Sequence, residues 1–148
     1  MTSRILVIGA GPAGYIGALR AARHGAQVTL IGGHDLGGTC LQRGCIPTKT
    51  LVSACKALHT VKRATEHGLR FEGTVSADWD ELRARMRKVS GINEKGIREL
   101  LRQAGVESIP GLARIVSPGV VEVGTQRIHG DRILVCTGSR PWVPPGLK

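Results

Sequence analysis

The stretch from Arg4 to Gly32 constrains the fold more than any other part of this chain. It opens with Arg-Ile-Leu-Val-Ile, passes through Gly9-Ala10-Gly11-Pro12-Ala13-Gly14, continues as an alanine-rich segment to Ala26, and closes with Gln-Val-Thr-Leu-Ile-Gly. Ile5 to Ile8 is an unbroken apolar run, which suits a strand covered on both faces by other layers. The segment from Tyr15 has helical character, Gly25 marks its end, and Val28 to Ile31 supplies a second strand. Strand, glycine turn, helix and strand in that order form a βαβ unit, which forces the two strands parallel and commits the chain to a layered α/β architecture.

Gly9, Gly11 and Gly14 make a G-x-G-x-x-G pattern placed directly between strand and helix. The first glycine permits the tight turn, the second lets the backbone approach a pyrophosphate, and the third lets helix and sheet pack closely. The helix N-terminus adds free N–H groups and the positive end of its dipole. This predicts a dinucleotide site without separating FAD from NAD; the alternative is a glycine turn that binds nothing. The usual companion is an acidic residue at the end of the second strand, where a carboxylate takes the ribose hydroxyls. That position is Gly32, and Asp35 is the nearest substitute.

Downstream, a helix is expected over about 48–67, ending near Gly68. A second amphipathic region runs from Asp78, as N-cap, to Gln103, with Trp79, Leu82, Met86 and Val89 at helical spacing and expected in the core. An interruption is expected near Ser90 and Gly91. Beyond Gly105 the pattern turns to short β segments at 106–109, 112–116, 120–123 and 126–129, then a final apolar strand from Arg132 and a proline-rich exit. The 148 residues fit one domain.

A formal net charge of +10 raises the question of nucleic acid. The basic residues are interleaved with Glu81, Glu94 and Glu99 along a helix, as on a solvated face, and 3% aromatic residues leave little for base stacking. Nucleic acid and membrane are therefore not expected partners. The N-terminal apolar run breaks at glycines before it reaches the length of a signal peptide or a span, so the cytoplasm is the expected location.

Cys40 and Cys45 stand four residues apart in Leu-Gly-Gly-Thr-Cys-Leu-Gln-Arg-Gly-Cys-Ile-Pro-Thr-Lys, positions 36–49. Such a pair can be a metal site, a structural bridge, two buried thiols or a redox couple. Structural bridges are rare in a reducing compartment, and the five histidines show no ligand spacing to the pair, so no metal is expected. A helix N-terminus close behind, together with Arg43, is expected to lower the thiol pKa and favours the redox couple.

The segment from Gly37 to Lys49 resembles the active-site signature of the flavin-dependent pyridine nucleotide disulfide oxidoreductases, and within them is most similar to the dihydrolipoamide dehydrogenase branch. The segment 7–25 resembles that family's FAD turn and first helix, 105–123 its β-meander, and 133–141 its second FAD-contacting motif. The resemblance implies a Rossmann-like FAD-binding βαβ layer with a β-meander. It implies Cys40 as the interchange thiol, Cys45 as the charge-transfer thiolate against the flavin, and Lys49 tuning it. It also implies FAD contacts from Gly9, Gly11, Pro12, Ala13, Gly14, Gly38, Thr39, Cys45, Lys49, Thr137, Gly138 and Ser139. Cys55 and Cys136 match no redox position and are expected as buried small hydrophobes.

In that family a hydride passes from a dithiol substrate, such as a dihydrolipoyl group, through the disulfide and flavin to NAD. The family is about three times longer. By this resemblance the chain is the N-terminal segment of an FAD domain, incomplete on its own. The NAD-binding and dimerisation domains and the His/Glu acid-base pair are missing, so NAD enters only through missing regions and the chain is expected to be inactive alone. It is expected to work with a complementary chain or as a homodimer. Gly32, Gln42 and Cys136 depart from the family pattern. Alternatives are an interaction module, one half of a split flavoprotein, or a relative of the glutathione or mercuric reductases.

Overall fold

The computed structural model describes residues 2–32 and 35–147. Among the described residues seven strands and four α-helices follow in the order β1 (Arg4–Ile8), α1 (Pro12–Arg23), β2 (Gln27–Gly32), α2 (Gly38–Gln42), α3 (Cys45–Lys62), α4 (Trp79–Gln103), β3 (Glu107–Pro110), β4 (Ala113–Ser117), β5 (Val120–Val123), β6 (Gln126–His129) and β7 (Arg132–Val135). Residues 1–38 and 97–148 form one compact unit, and residues 39–96 a second.

In the first unit a parallel sheet runs in the order β3-β2-β1-β7. Residues of β1 alternate between its faces. Val7 joins Ala18, Val28, Leu30, Leu101 and Val106 in one core cluster, while Leu6 and Ile8 join Ile31, Val121 and Ile128 in another. The second cluster is closed by the antiparallel sheet β4-β5-β6, which supplies Val121 and Ile128. Both faces of β1 are thus dry, which is why its sequence is a continuous apolar run rather than an alternating one. Each fully buried Leu, Val or Ile here contributes about 1.5–3 kcal/mol. The one buried hydroxyl of β2 is satisfied: Thr29 Oγ1 donates to Glu107 Oε2 at 2.9 Å.

Three expectations are corrected. The segment 106–109 does not belong to the β-meander; as β3 it pairs in parallel with β2, setting Ile31 beside Ile109. The amphipathic region is one continuous 25-residue helix with no break at Ser90 or Gly91. Two interior glycines, Gly91 and Gly96, cost about 1 kcal/mol each. The Asp78 cap, which accepts from the N–H of Asp80 at 2.9 Å and of Glu81 at 3.1 Å, and the burial of Ser90 and Leu101 outweigh that cost. Trp79 is not a core residue but 57% exposed, and Leu82, Met86 and Val89 are half-buried.

In the second unit, α3 starts at Cys45, three residues ahead of expectation, and runs to Lys62, followed by a 3₁₀ turn, Ala64–His67. Pro47 is accommodated because it falls in the first turn, where backbone N–H groups have no partner to lose. Gly68 ends the 3₁₀ turn at φ +72°, a left-handed conformation that suits glycine.

Candidate functional site

The glycine turn sits where β1 hands over to α1. Gly9 has φ +108°, and a Cβ there would lie 2.2 Å from the Cys136 carbonyl oxygen. At Gly14 a Cβ would lie 1.7 Å from the Gly9 carbonyl oxygen, and at Gly38 2.8 Å from Gly11 Cα. Only backbone fits between these segments. The turn therefore draws the α1 N-terminus, Gly38 and the chain after β7 close together. Gly11 caps α1 without a side-chain hydrogen bond, and Pro12 occupies its first position. Pro12 and Ala13 are exposed, which leaves the start of the helix open to an anion. After β7 the Cys136 N–H donates to the Ile8 carbonyl at 2.7 Å, holding Thr137 beside Gly9, and Thr137, Gly138 and Ser139 are exposed there.

The residues present fit a pyrophosphate and depart from the usual fingerprint at the ribose. Gly32 ends β2, and a Cβ there would meet Ala10 Cβ at 2.6 Å and Ala10 N at 3.1 Å. A carboxylate-bearing side chain has no room at this position while Ala10 stays where it is. Beside it lies a cavity of about 400 Å³ bounded by Ala10, Gly32, Leu36, Ser108, Pro110 and the α4 residues Arg98, Leu101 and Arg102. Asp35 does not line this cavity, and Gly33 and His34 lie outside the described residues.

In the second unit Cys40 lies in α2 and Cys45 is the first residue of α3. The four-residue spacing is what carries the chain around the corner between these helices, and it sets the Cys45 side chain where it acts on the Cys40 thiol. Both are free thiols, Cys40 half-buried and Cys45 exposed. The hydrogen bond to the Cys45 side chain holds the Cys40 thiol above its ordinary value, and burial adds to the shift. The backbone N–H of Cys45 and the charge of Lys49 pull the other way. The expected lowering is thus reversed at Cys40, because a thiol that donates to a second sulfur loses that bond on ionising, and this outweighs helix terminus and lysine. Lys49, one turn along α3 from Cys45, is exposed.

The corner is anchored by groups that pattern reading missed. Ser90 of α4 donates its hydroxyl to the Leu41 carbonyl at 3.0 Å, and Gln42 Nε2 donates to Glu94 Oε2 at 3.2 Å. A polar residue within the apolar stripe of α4 was the available signal, and it reads equally as a helix break. Cys55 is exposed, not buried, because the inner stripe of α3 runs through Ala54, Leu58 and Val61 and Cys55 falls one position off it. Cys136 is half-buried and packs against the Val7 cluster. No helix among the described residues is long and apolar enough to cross a membrane.

Comparison with known proteins bears on both halves. Residues 3–148 match the family described as pyridine nucleotide-disulphide oxidoreductase. A dihydrolipoyl dehydrogenase of Acholeplasma laidlawii is 36% identical over 146 residues, covering 97% of this chain and 44% of that protein. One from Chlorobaculum parvum is 40% identical over 149 residues, covering 97% of this chain and 32% of that protein. Among solved structures, the HOCl-induced flavoprotein disulfide reductase RclA from Escherichia coli superposes with a TM-score of 0.79 at 28% identity, over 96% of this chain and 29% of that one. The chain thus spans less than half the length of each relative it matches here.

Proposed function

The chain belongs to the pyridine nucleotide-disulphide oxidoreductase family, and from that premise we propose that it carries the dithiol-disulfide exchange centre of a dihydrolipoyl dehydrogenase-like flavoenzyme. The observation that supports this most is the Cys40–Cys45 corner, where Cys40 in α2 and Cys45 at the start of α3 stand close enough for the Cys45 side chain and the Lys49 charge both to act on the Cys40 thiol.

With the pair oxidised, a thiolate of a dihydrolipoyl-type substrate attacks the Cys40 sulfur. The Cys40–Cys45 bond breaks and Cys45 leaves as a thiolate. The second substrate thiol, once deprotonated, attacks the mixed disulfide, which closes the substrate ring and releases Cys40 as a thiolate. The substrate has lost two electrons and the cysteine pair holds them. Lys49 favours the thiolate form of Cys40 by its charge, which eases that departure.

FAD is the cofactor in this reading, held by Gly9, Gly11, Pro12, Ala13, Gly14, Gly38 and Thr39, with Thr137, Gly138 and Ser139 from the chain after β7. When bound it supplies a two-electron acceptor. The NAD half-reaction, and partnering as a homodimer or with a complementary chain, we assign to the length of the relatives that this chain does not span. The 148 residues alone are then not expected to reduce NAD. A cytoplasmic location goes with this reading, since a reducing compartment keeps such a pair cycling.

The test is reconstitution with FAD, followed by titration with a dihydrolipoyl amide while the visible spectrum and free thiols are recorded. Bound oxidised flavin, and two thiols gained per chain by the oxidised protein that are lost in Cys40→Ser, are the expected results. Retention of flavin without any dithiol-dependent thiol gain would sink the exchange role.

A further inference from the structure

A groove of about 620 Å³ runs between α3 and the first turns of α4, inside the second unit. Cys40, Cys45 and Lys49 do not line it, so it is separate from the exchange centre. Leu58 and Val61 of α3, with Val75 and Leu82, give it an apolar lining, and Cys55 and Ala57 lie exposed along it. Apolar surface rimmed by charge between two helices is suited to docking a further helix. The α4 rim is Asp78, Glu81, Arg85 and Lys88, all exposed. Among the described residues, the side chains of Glu81, Arg85 and Lys88 make no hydrogen bond or ion pair. Asp78 uses only Oδ1 in capping the helix.

The order of these four charges selects the occupant. They recur at spacings of three, four and three residues, which sets them in one line along the helix. Asp78 and Lys88 stand five residues either side of position 83, and Glu81 and Arg85 two either side. An antiparallel copy of α4, related by a twofold axis through that position, therefore meets each acid with a base: Asp78 with Lys88 and Glu81 with Arg85, each pair made twice. A parallel copy in register sets like against like. A foreign partner needs no such mirror order. We infer that the groove is a self-association surface, in which α4 of a second copy of this chain lies antiparallel between α4 and α3 of the first. This contact uses residues within the chain and is additional to any partnering that the further length of the relatives supplies.

The experiment is sedimentation equilibrium of the 148-residue chain over concentrations up to about 1 mM. The parent is expected to form a dimer that weakens as salt is raised. E81R and R85E each set like charges opposite one another, and each is expected to weaken that dimer about tenfold or more. Mixed in equal amounts, the two variants present opposite charges at both contacts, so they are expected to associate with each other although neither associates with itself. Both positions are exposed, and the far-UV circular dichroism of each variant is expected to match the parent. A parent chain that stays monomeric overturns the inference and leaves the groove to an occupant of another kind. A dimer that neither substitution weakens, or a mixture of the two variants that does not associate, overturns it as well.

Discussion

Ser90 reaches across from α4 to donate its hydroxyl to the Leu41 carbonyl at 3.0 Å, within a buried contact. Leu41 is in α2, the five-residue helix that carries Cys40. A helix this short cannot satisfy its own last carbonyls, so the serine completes it. Ser90→Ala leaves that oxygen without its partner, at a cost of about 1–3 kcal/mol. The expected result is a melting temperature several degrees lower in circular dichroism, together with faster alkylation of Cys40 as α2 frays. Ser90→Thr keeps the hydroxyl and recovers most of the loss. An unchanged melting curve for the alanine variant would mean that α2 does not depend on this bond.

The Cys40 thiol is held above its ordinary value of 9.0 by its hydrogen bond to Cys45. Because the neutral form is the favoured one, the stability this pair contributes is present below pH 9.0 and is lost as pH rises through the raised value. Cys45→Ala removes the partner sulfur, so the Cys40 ionisation moves down and its alkylation by iodoacetamide at pH 8 speeds up severalfold. Lys49→Met shifts the same profile upward, since the lysine charge opposes the rise. Rates at Cys40 are followed by peptide mass spectrometry, because Cys55 is also exposed. A profile unmoved in Cys45→Ala would remove the sulfur pair as the cause.

Much of this was legible in the sequence because it is local. The β1–α1–β2 unit is written as an apolar run, three glycines and a second apolar run, each enforced by contacts a few residues away. The Asp78 cap is likewise a matter of adjacent backbone N–H groups. Less legible was whatever depended on distant partners. Nothing near Glu107 says that its strand pairs with β2, and the part-buried bond from Thr29 to Glu107 spans 78 positions. Ser90 looked like a break because its partner lies 49 residues away. The sign of the Cys40 shift was misread because helix terminus and lysine are visible in sequence, whereas the opposing influence of the Cys45 side chain depends on how the fold sets the two sulfurs. Arg98 and Arg102 read as part of a solvated face, and only the fold puts them on the wall of a cavity.

The Glu99 carboxylate is lowered to about 2, chiefly by its hydrogen bonds with Arg102 and then Gln103. A carboxylate depressed in the fold contributes stability that is present above its unfolded value, near 4.5, and is lost as pH falls toward 2. Glu99→Gln is therefore expected to melt below the parent at pH 6 and level with it near pH 2. Both groups are exposed, so the difference is small and shrinks in high salt. A gap that persists unchanged at pH 2 would show that the substitution acts through packing and not through charge.

Gly14 and Gly17 are both glycines of α1, three residues apart, and the structure assigns them opposite tolerance. A Cβ at Gly14 lies 1.7 Å from a backbone oxygen of Gly9, which cannot turn aside without opening the glycine turn. At Gly17 the nearest atom is 3.0 Å away, and it is the end of the Leu134 side chain, which can rotate. Gly14→Ala must lift α1 from the sheet. Overpacking of this kind costs about 1–3 kcal/mol or more, and the lifted helix no longer aims its N-terminus at the turn. FAD and 5′-AMP binding are expected to fall at least a hundredfold. Gly17→Ala gains about 1 kcal/mol of helix propensity against one tight contact, so its melting temperature and nucleotide affinity stay close to the parent. Equal nucleotide affinities in the two variants would mean that the close approach of α1 to the turn does not build the site.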